Sequence, residues 1–158
     1  MTGTLRRGFV VLGLAAAASW CCAAPSSEGD DQALLADKDY AAAITALKAG
    51  NPGAALPRLK QALKRFPDHA DVHNELGFAH RRLKQFDEAF QHYRRALEIN
   101  PLHRGAHEYI GEAYLLVGNR AAAERHLASL RSICLLSCEE LRDLEKAIAE
   151  HRSGNSPR

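Results

Sequence analysis

The stretch ADVHNELGFAHRRLKQFDEAFQHYRRALEINPLH, residues 70–103, decides how this chain folds, because it can be laid over the stretches on either side of it. Residues 36–69 and 104–137 repeat its order of small and large side chains at a period of roughly 34 residues. In the middle copy that order is Leu76-Gly77, His80, Ala89, Tyr93, Ala96 and Pro101; the third copy supplies Ile110-Gly111, Tyr114 and Ala123. The first keeps Ala55, Ala62 and Pro67 but has Ala42-Ala43 in place of the Leu/Ile-Gly pair. Alanine- and leucine-rich segments with helical spacing alternate with Pro and Gly punctuation, and no alternating Val/Ile/Thr run signals a strand, so the fold class is all-α.

Helix ends agree with the period. Asn51-Pro52 sets an N-cap before a proline at the first helical position, Asn119 can cap a later helix, and Gly50 and Gly118 close the preceding ones. Pro67 and Pro101 fall where the chain leaves one helix pair for the next. Gly77 and Gly111, with Ala89 and Ala123 opposite, leave room for a second helix to approach closely, while Tyr93, Leu97, Tyr114 and Leu127 fill the interior.

This small-and-large pattern resembles the tetratricopeptide repeat, with His80 replacing its usual tyrosine. The resemblance implies an α-solenoid of antiparallel helix pairs: a degenerate first repeat over 32–69, a second over 70–103 and a third over 104–137. It also implies function on a concave surface lined by the first helix of each repeat. The positions carried over are Tyr40, Ile44 and Lys48 in repeat one, Asn74, Phe78 and Arg81 in repeat two, and Glu108 and Glu112 in repeat three. This mixture of aromatic, amide, cationic and anionic groups suits a protein or peptide partner. Phe78 and Glu112 stand where the family's carboxylate-gripping members would need polar or basic groups, which argues against capture of a C-terminal carboxylate.

Working outward, residues 1–23 read as a cleavable signal peptide, with Arg6 and Arg7 as the charged region and Phe9 to Ala18 as the apolar one. The apolar run is short of the ~20 residues that span a membrane, so no stable membrane insertion is expected after cleavage. Leu5 stands where a twin-arginine signal usually carries Ser or Thr, which favours the Sec route, and Trp20 before Cys21 argues against lipidation at Cys21 or Cys22. A periplasmic or secreted location follows. Residues 24–31 read as a flexible linker, residues 138–151 as a capping helix opened by a Ser137/Glu140 capping box, and 152–158 as a disordered tail. In an oxidising compartment Cys134 and Cys138 are expected to form a disulfide that fixes the angle of the cap helix, with a redox-active pair as the rival.

The chain has 21 Lys+Arg against 19 Asp+Glu, and removing a leader that holds Arg6 and Arg7 leaves 19 of each, so no nucleic-acid footprint remains. Eight histidines would turn the chain positive near pH ~6. His69/His73 and His103/His107, each spaced i, i+4 in successive repeats, offer an alternative reading as a zinc or copper site. The chain lacks a nucleophile elbow, a phosphate-cradling glycine loop and a His-Glu-x-x-His motif. The expectation is a non-enzymatic adaptor without a cofactor.

Overall fold

The computed structural model describes residues 27–154, so the signal reading at 1–23 and the end of the tail lie outside the described residues. Eight helices and no strand make up the described residues: α1 (Ser27–Leu35), α2 (Lys38–Lys48), α3 (Pro52–Arg65), α4 (Ala70–Arg82), α5 (Phe86–Ile99), α6 (Arg104–Leu116), α7 (Arg120–Ile133) and α8 (Glu139–Arg152). The bounds of α3 recur 34 residues on in α5 and again in α7, and those of α4 recur in α6. Each repeat is an antiparallel pair, α2 with α3, α4 with α5 and α6 with α7, and α8 closes the array on α6 and α7. Successive first helices touch one another, α2 on α4, α4 on α6 and α6 on α8, which places them on the inner side of the solenoid.

The helix starts follow local chemistry. Asn51 and Asn119 accept from the N–H groups of Ala54 and Ala122, each at 3.1 Å, and Pro52 opens α3 where an N–H would go unused. Gly50 and Gly118 take φ of 71° and 79° in the tight turns between paired helices. The matching turn of repeat two gives that left-handed place to Lys84, at φ 60°.

Close packing of the pairs rests on matched sizes. A Cβ on Gly77 would lie 2.6 Å from the ring of fully buried Tyr93. One repeat earlier the same two places hold Ala43 and Leu59, both fully buried: the smaller partner leaves room for a methyl group. One repeat later Leu127 replaces the tyrosine, and Leu144 of α8 fills the remaining space, 2.7 Å from where a Cβ on Gly111 would stand. The core is thus three clusters, one for α2–α4, one around Tyr93 and Ile110, and one that ties α6 and α7 to α8.

Two expectations change. Residues 27–31, read as linker, are helical in α1, and Leu34 of that helix is buried in the first core cluster, which the polar run ahead of it did not signal. The Ser137/Glu140 capping box does not form: Cys138 is the N-cap of α8 and makes no side-chain cap bond. The turn before α8 is instead shaped by Cys134 and Cys138, whose Cα atoms stand 5.9 Å apart with the sulfurs in disulfide geometry, both side chains inside the third cluster. The first repeat also carries a charge cluster that ties the start of α2 to α3. Arg65 grips Asp37 at 2.6 and 2.8 Å and Asp39 at 2.8 Å, and Arg58 reaches Asp39 at 2.9 Å. Those contacts hold both carboxyls below the usual range, with the Arg65 bond the first cause at Asp37 and the Arg58 bond at Asp39.

Candidate partner-binding face

The inner face is built by α2, α4 and α6, and its centre is Arg81. The guanidinium lies 5.3 Å from the ring centres of both Phe78, on its own helix, and Tyr109, and donates to Glu112 Oε2, so α4 and α6 are joined by an ion pair and one cation–π contact. Phe78 and Tyr109 meet at 5.1 Å between ring centres. Only 10% of the Arg81 side chain is exposed, which makes it a brace between repeats with little surface to offer a partner.

The eight candidate positions separate by depth. Lys48 is exposed; Ile44, Phe78 and Glu112 are half-buried; Tyr40, Asn74 and Glu108 are buried. Tyr40, Asn74, Glu108 and Arg81 therefore present a partner with little side-chain surface. Asn74 Nδ2 donates to Glu75 Oε1 at 3.3 Å, and Asn74 Oδ1 is buried without a donor. Tyr109 and Glu75 belong to the same face and were not among the residues singled out from sequence. Burial pushes the Glu75 carboxyl up to about 7 and the Glu108 carboxyl up to about 8, the latter helped by Glu112, Asp143 and Glu140 nearby.

The histidines form two sites, neither of them the four-imidazole cluster that their spacing allowed. His73 turns to His92, Nδ1 to Nδ1 at 3.1 Å, and His107 turns to His126 at 3.0 Å. In each pair the first imidazole's Nε2–H donates to the carbonyl of Pro67 or Pro101 at 3.0 Å, so its Nδ1 carries the lone pair that accepts from the second ring. His80 stacks on His92 and, one repeat later, Tyr114 stacks on His126. Burial pushes His92 and His126 down to about 4, so these two do not share in a charge change near pH 6, and it lowers His73 and His107 as well.

His69 and His103 instead cap α4 and α6. His69 Nδ1 accepts from Asp71 N–H at 3.3 Å and His103 Nδ1 from Ala106 N–H at 3.0 Å. Their Nε2 atoms face Asp31 Oδ1 at 2.9 Å and Asp71 Oδ1 at 2.8 Å, and the His103 bond holds the Asp71 carboxyl low. Among the described residues Asp31, His69 and Asp71 bring donor atoms within 4.8 Å of one another beside a cleft of about 430 Å³. His69 Nδ1 is taken by the cap, while Nε2 stands 2.9 Å from Asp31 Oδ1 without forming a hydrogen bond.

Comparison with known proteins now has a geometry to meet. Residues 40–103 match the family model described as tetratricopeptide repeat. The fold is a tetratricopeptide-like helical solenoid. The first TPR domain of Spaghetti (RPAP3), solved bound to the HSP90 peptide SRMEEVD, superposes with a TM-score of 0.63 at 19% identity, over 75% of this chain and 97% of that one. MamA AMB-1 superposes with a TM-score of 0.55 at 24% identity, over 66% of this chain and 57% of that one. At these identities the likeness is one of fold. Among curated proteins no sequence relative matches. Among the described residues no helix is long and apolar enough to cross a membrane.

Proposed function

We propose that this tetratricopeptide-like solenoid is a non-catalytic adaptor of the cell envelope, exported to the periplasm or secreted, that holds a peptide or partner protein on the face made by α2, α4 and α6. The observation that carries this reading is the Phe78–Arg81–Tyr109–Glu112 cluster, a rigid aromatic and charged platform spanning two repeats on the inner side. Such pre-organised aromatic surface costs little ordering entropy on binding. The structural neighbour's peptide, SRMEEVD, is acidic; Glu112 and the buried carboxyls of this face argue for a different partner chemistry here. Export is supported by the leader-like residues 1–23 and by the placement of Cys134 and Cys138 for an oxidised pair that ties α8 to α7.

The test is capture from a cell-envelope extract by the purified protein and by a Phe78→Ala, Lys48→Ala variant, both read by mass spectrometry after circular dichroism shows equal helix content. A partner retained by the first and lost by the second supports the assignment. Equal capture by both moves the working surface elsewhere.

A further inference from the structure

The start of α4 holds a group of polar atoms that the partner-binding reading does not use. His69 Nε2 is shut off from solvent with no hydrogen-bond partner, on a side chain of which only 10% is exposed. Asp31 Oδ1 of α1 stands 2.9 Å from it, and Asp71 completes a set whose three donor atoms lie within 4.8 Å of one another. All three residues line the cleft of about 430 Å³, together with Asp30 and Asp68, and among the described residues no lysine or arginine lines it. Arg95 reaches one of these four carboxylates, Asp68, at 2.5 Å. Asp71 is held from behind. His103 Nδ1 accepts from Ala106 N–H at 3.0 Å, so its Nε2 carries the proton and donates to Asp71 Oδ1 at 2.8 Å.

Nitrogen and oxygen ligands stand ~2.0–2.2 Å from a divalent ion, hence about 3–4 Å from one another, and their outer hydrogen bonds orient them. A dry ring nitrogen and two carboxylates gathered on a cleft, one carboxylate steadied by His103, match that arrangement. We propose that Asp31, His69 and Asp71 bind a divalent metal ion of the zinc class, with water completing its shell, and that the ion pins α1 to the start of α4. The imidazole in the set favours zinc over calcium and magnesium, which prefer oxygen ligands throughout. Binding through Nε2 places the ring's proton on Nδ1 and gives up the cap bond from Asp71 N–H. That bond is 3.3 Å long, against 3.0 Å for the matching cap at His103, and the ion's ligand bonds outweigh it. Helix α1 is otherwise lightly held: among its described side chains only Leu34 is buried, one turn beyond Asp31. The proposal does not rest on the inner face binding a partner.

The test is a zinc titration of the purified, metal-free and tag-free protein against a chromophoric chelator, with circular dichroism to check the helix content of each variant. His69→Asn with Asp31→Asn removes the imidazole and one carboxylate, while the new amide at position 69 can still cap α4. His151→Asn with Glu88→Gln removes the same two kinds of group from α8 and α5, away from the cleft. The unaltered protein should take one zinc per chain, the cleft variant should bind it about tenfold or more weakly, and the control should stay within about twofold. Zinc should also slow amide hydrogen exchange in α1 of the unaltered protein and leave α1 of the cleft variant as it was. No zinc uptake, equal affinity in all three proteins, or equal loss in both variants would overturn the site. Zinc uptake without protection of α1 would overturn the pinning, and calcium bound as tightly as zinc would overturn the choice of ion. Should the cleft variant lose helix content, Asp31→Asn alone decides, since that side chain is 57% exposed: unchanged zinc affinity in it would overturn the site.

Discussion

Lys84 shows how far one residue can stand from its neighbours' solution to the same problem. Gly50 and Gly118 occupy the left-handed turn in repeats one and three, and Lys84 occupies it at φ 60° in repeat two. A non-glycine residue there carries about 1 kcal/mol of steric strain. Lys84→Gly should therefore raise stability by roughly 0.5 to 1 kcal/mol, less than the full strain because glycine loosens the unfolded chain. A higher urea midpoint with an unchanged slope is the expected sign; a lower midpoint would mean that Lys84 makes a favourable contact outweighing its conformation. At Gly77 the direction reverses. A methyl group would meet the Tyr93 ring at 2.6 Å, so Gly77→Ala should cost about 1–3 kcal/mol, and pairing it with Tyr93→Leu should recover part of the loss by recreating the Ala43/Leu59 match of repeat one. Strict additivity of the two substitutions in a double-mutant cycle would count against that size match.

At the scale of elements, the helix pairs are tied by imidazole pairs whose half-buried members, His92 and His126, respond to acid. His92 and His126 are held down to about 4 against an ordinary 6.5, so the unfolded chain binds more protons than the folded one between those values. Stability is full above pH 6.5 and falls as pH drops towards 4. His92→Phe with His126→Phe should flatten that acid limb, seen as a smaller fall in melting temperature between pH 7 and 5. Glu75 and Glu108 act in the opposite sense: their raised carboxyls weaken the fold as pH rises from 4.5 towards 7 and 8. Glu108→Gln should accordingly raise the melting temperature at pH 8 and change it little at pH 4.5, the mark of a residue kept at a cost to stability. At the C-terminal end, Cys134→Ser should loosen α8 and remove about 2 kcal/mol in the oxidised protein, and leave the fully reduced protein nearly unchanged.

The period made the helices legible almost to the residue, because Gly, Asn and Pro recur at the turns and a 34-residue repeat fixes every later boundary once one is read. It could not show how deeply the side chains of Tyr40, Asn74, Glu108 and Arg81 are buried, because burial is set by residues distant in the chain. The His73–His92 and His107–His126 pairs escaped notice for a related reason. Their partners lie 19 residues apart on opposite helices of a pair, a separation no local motif marks, whereas the i, i+4 spacing of His69/His73 drew attention to rings that point apart. The signal that could have found them was the repetition itself, since both pairs recur in register with the repeat. Helix α1 stayed hidden because its opening residues are polar and only Leu34 reaches the core.

Taken whole, the molecule is a short stack whose first helices face inward, braced by Arg81 and closed by α8. A solenoid of this kind offers a long shallow surface in place of a deep pocket, which suits holding a chain segment better than transforming a small molecule. The most direct measurement is nuclear magnetic resonance mapping of the isotope-labelled protein with the binding segment of its captured partner. Shifts concentrated on α2, α4 and α6, around Lys48, Glu75, Phe78, Glu108 and Tyr109, are predicted. Shifts confined to α3, α5 and α7, or to the exposed Leu135-Leu136 turn, would contradict the assignment of the inner face.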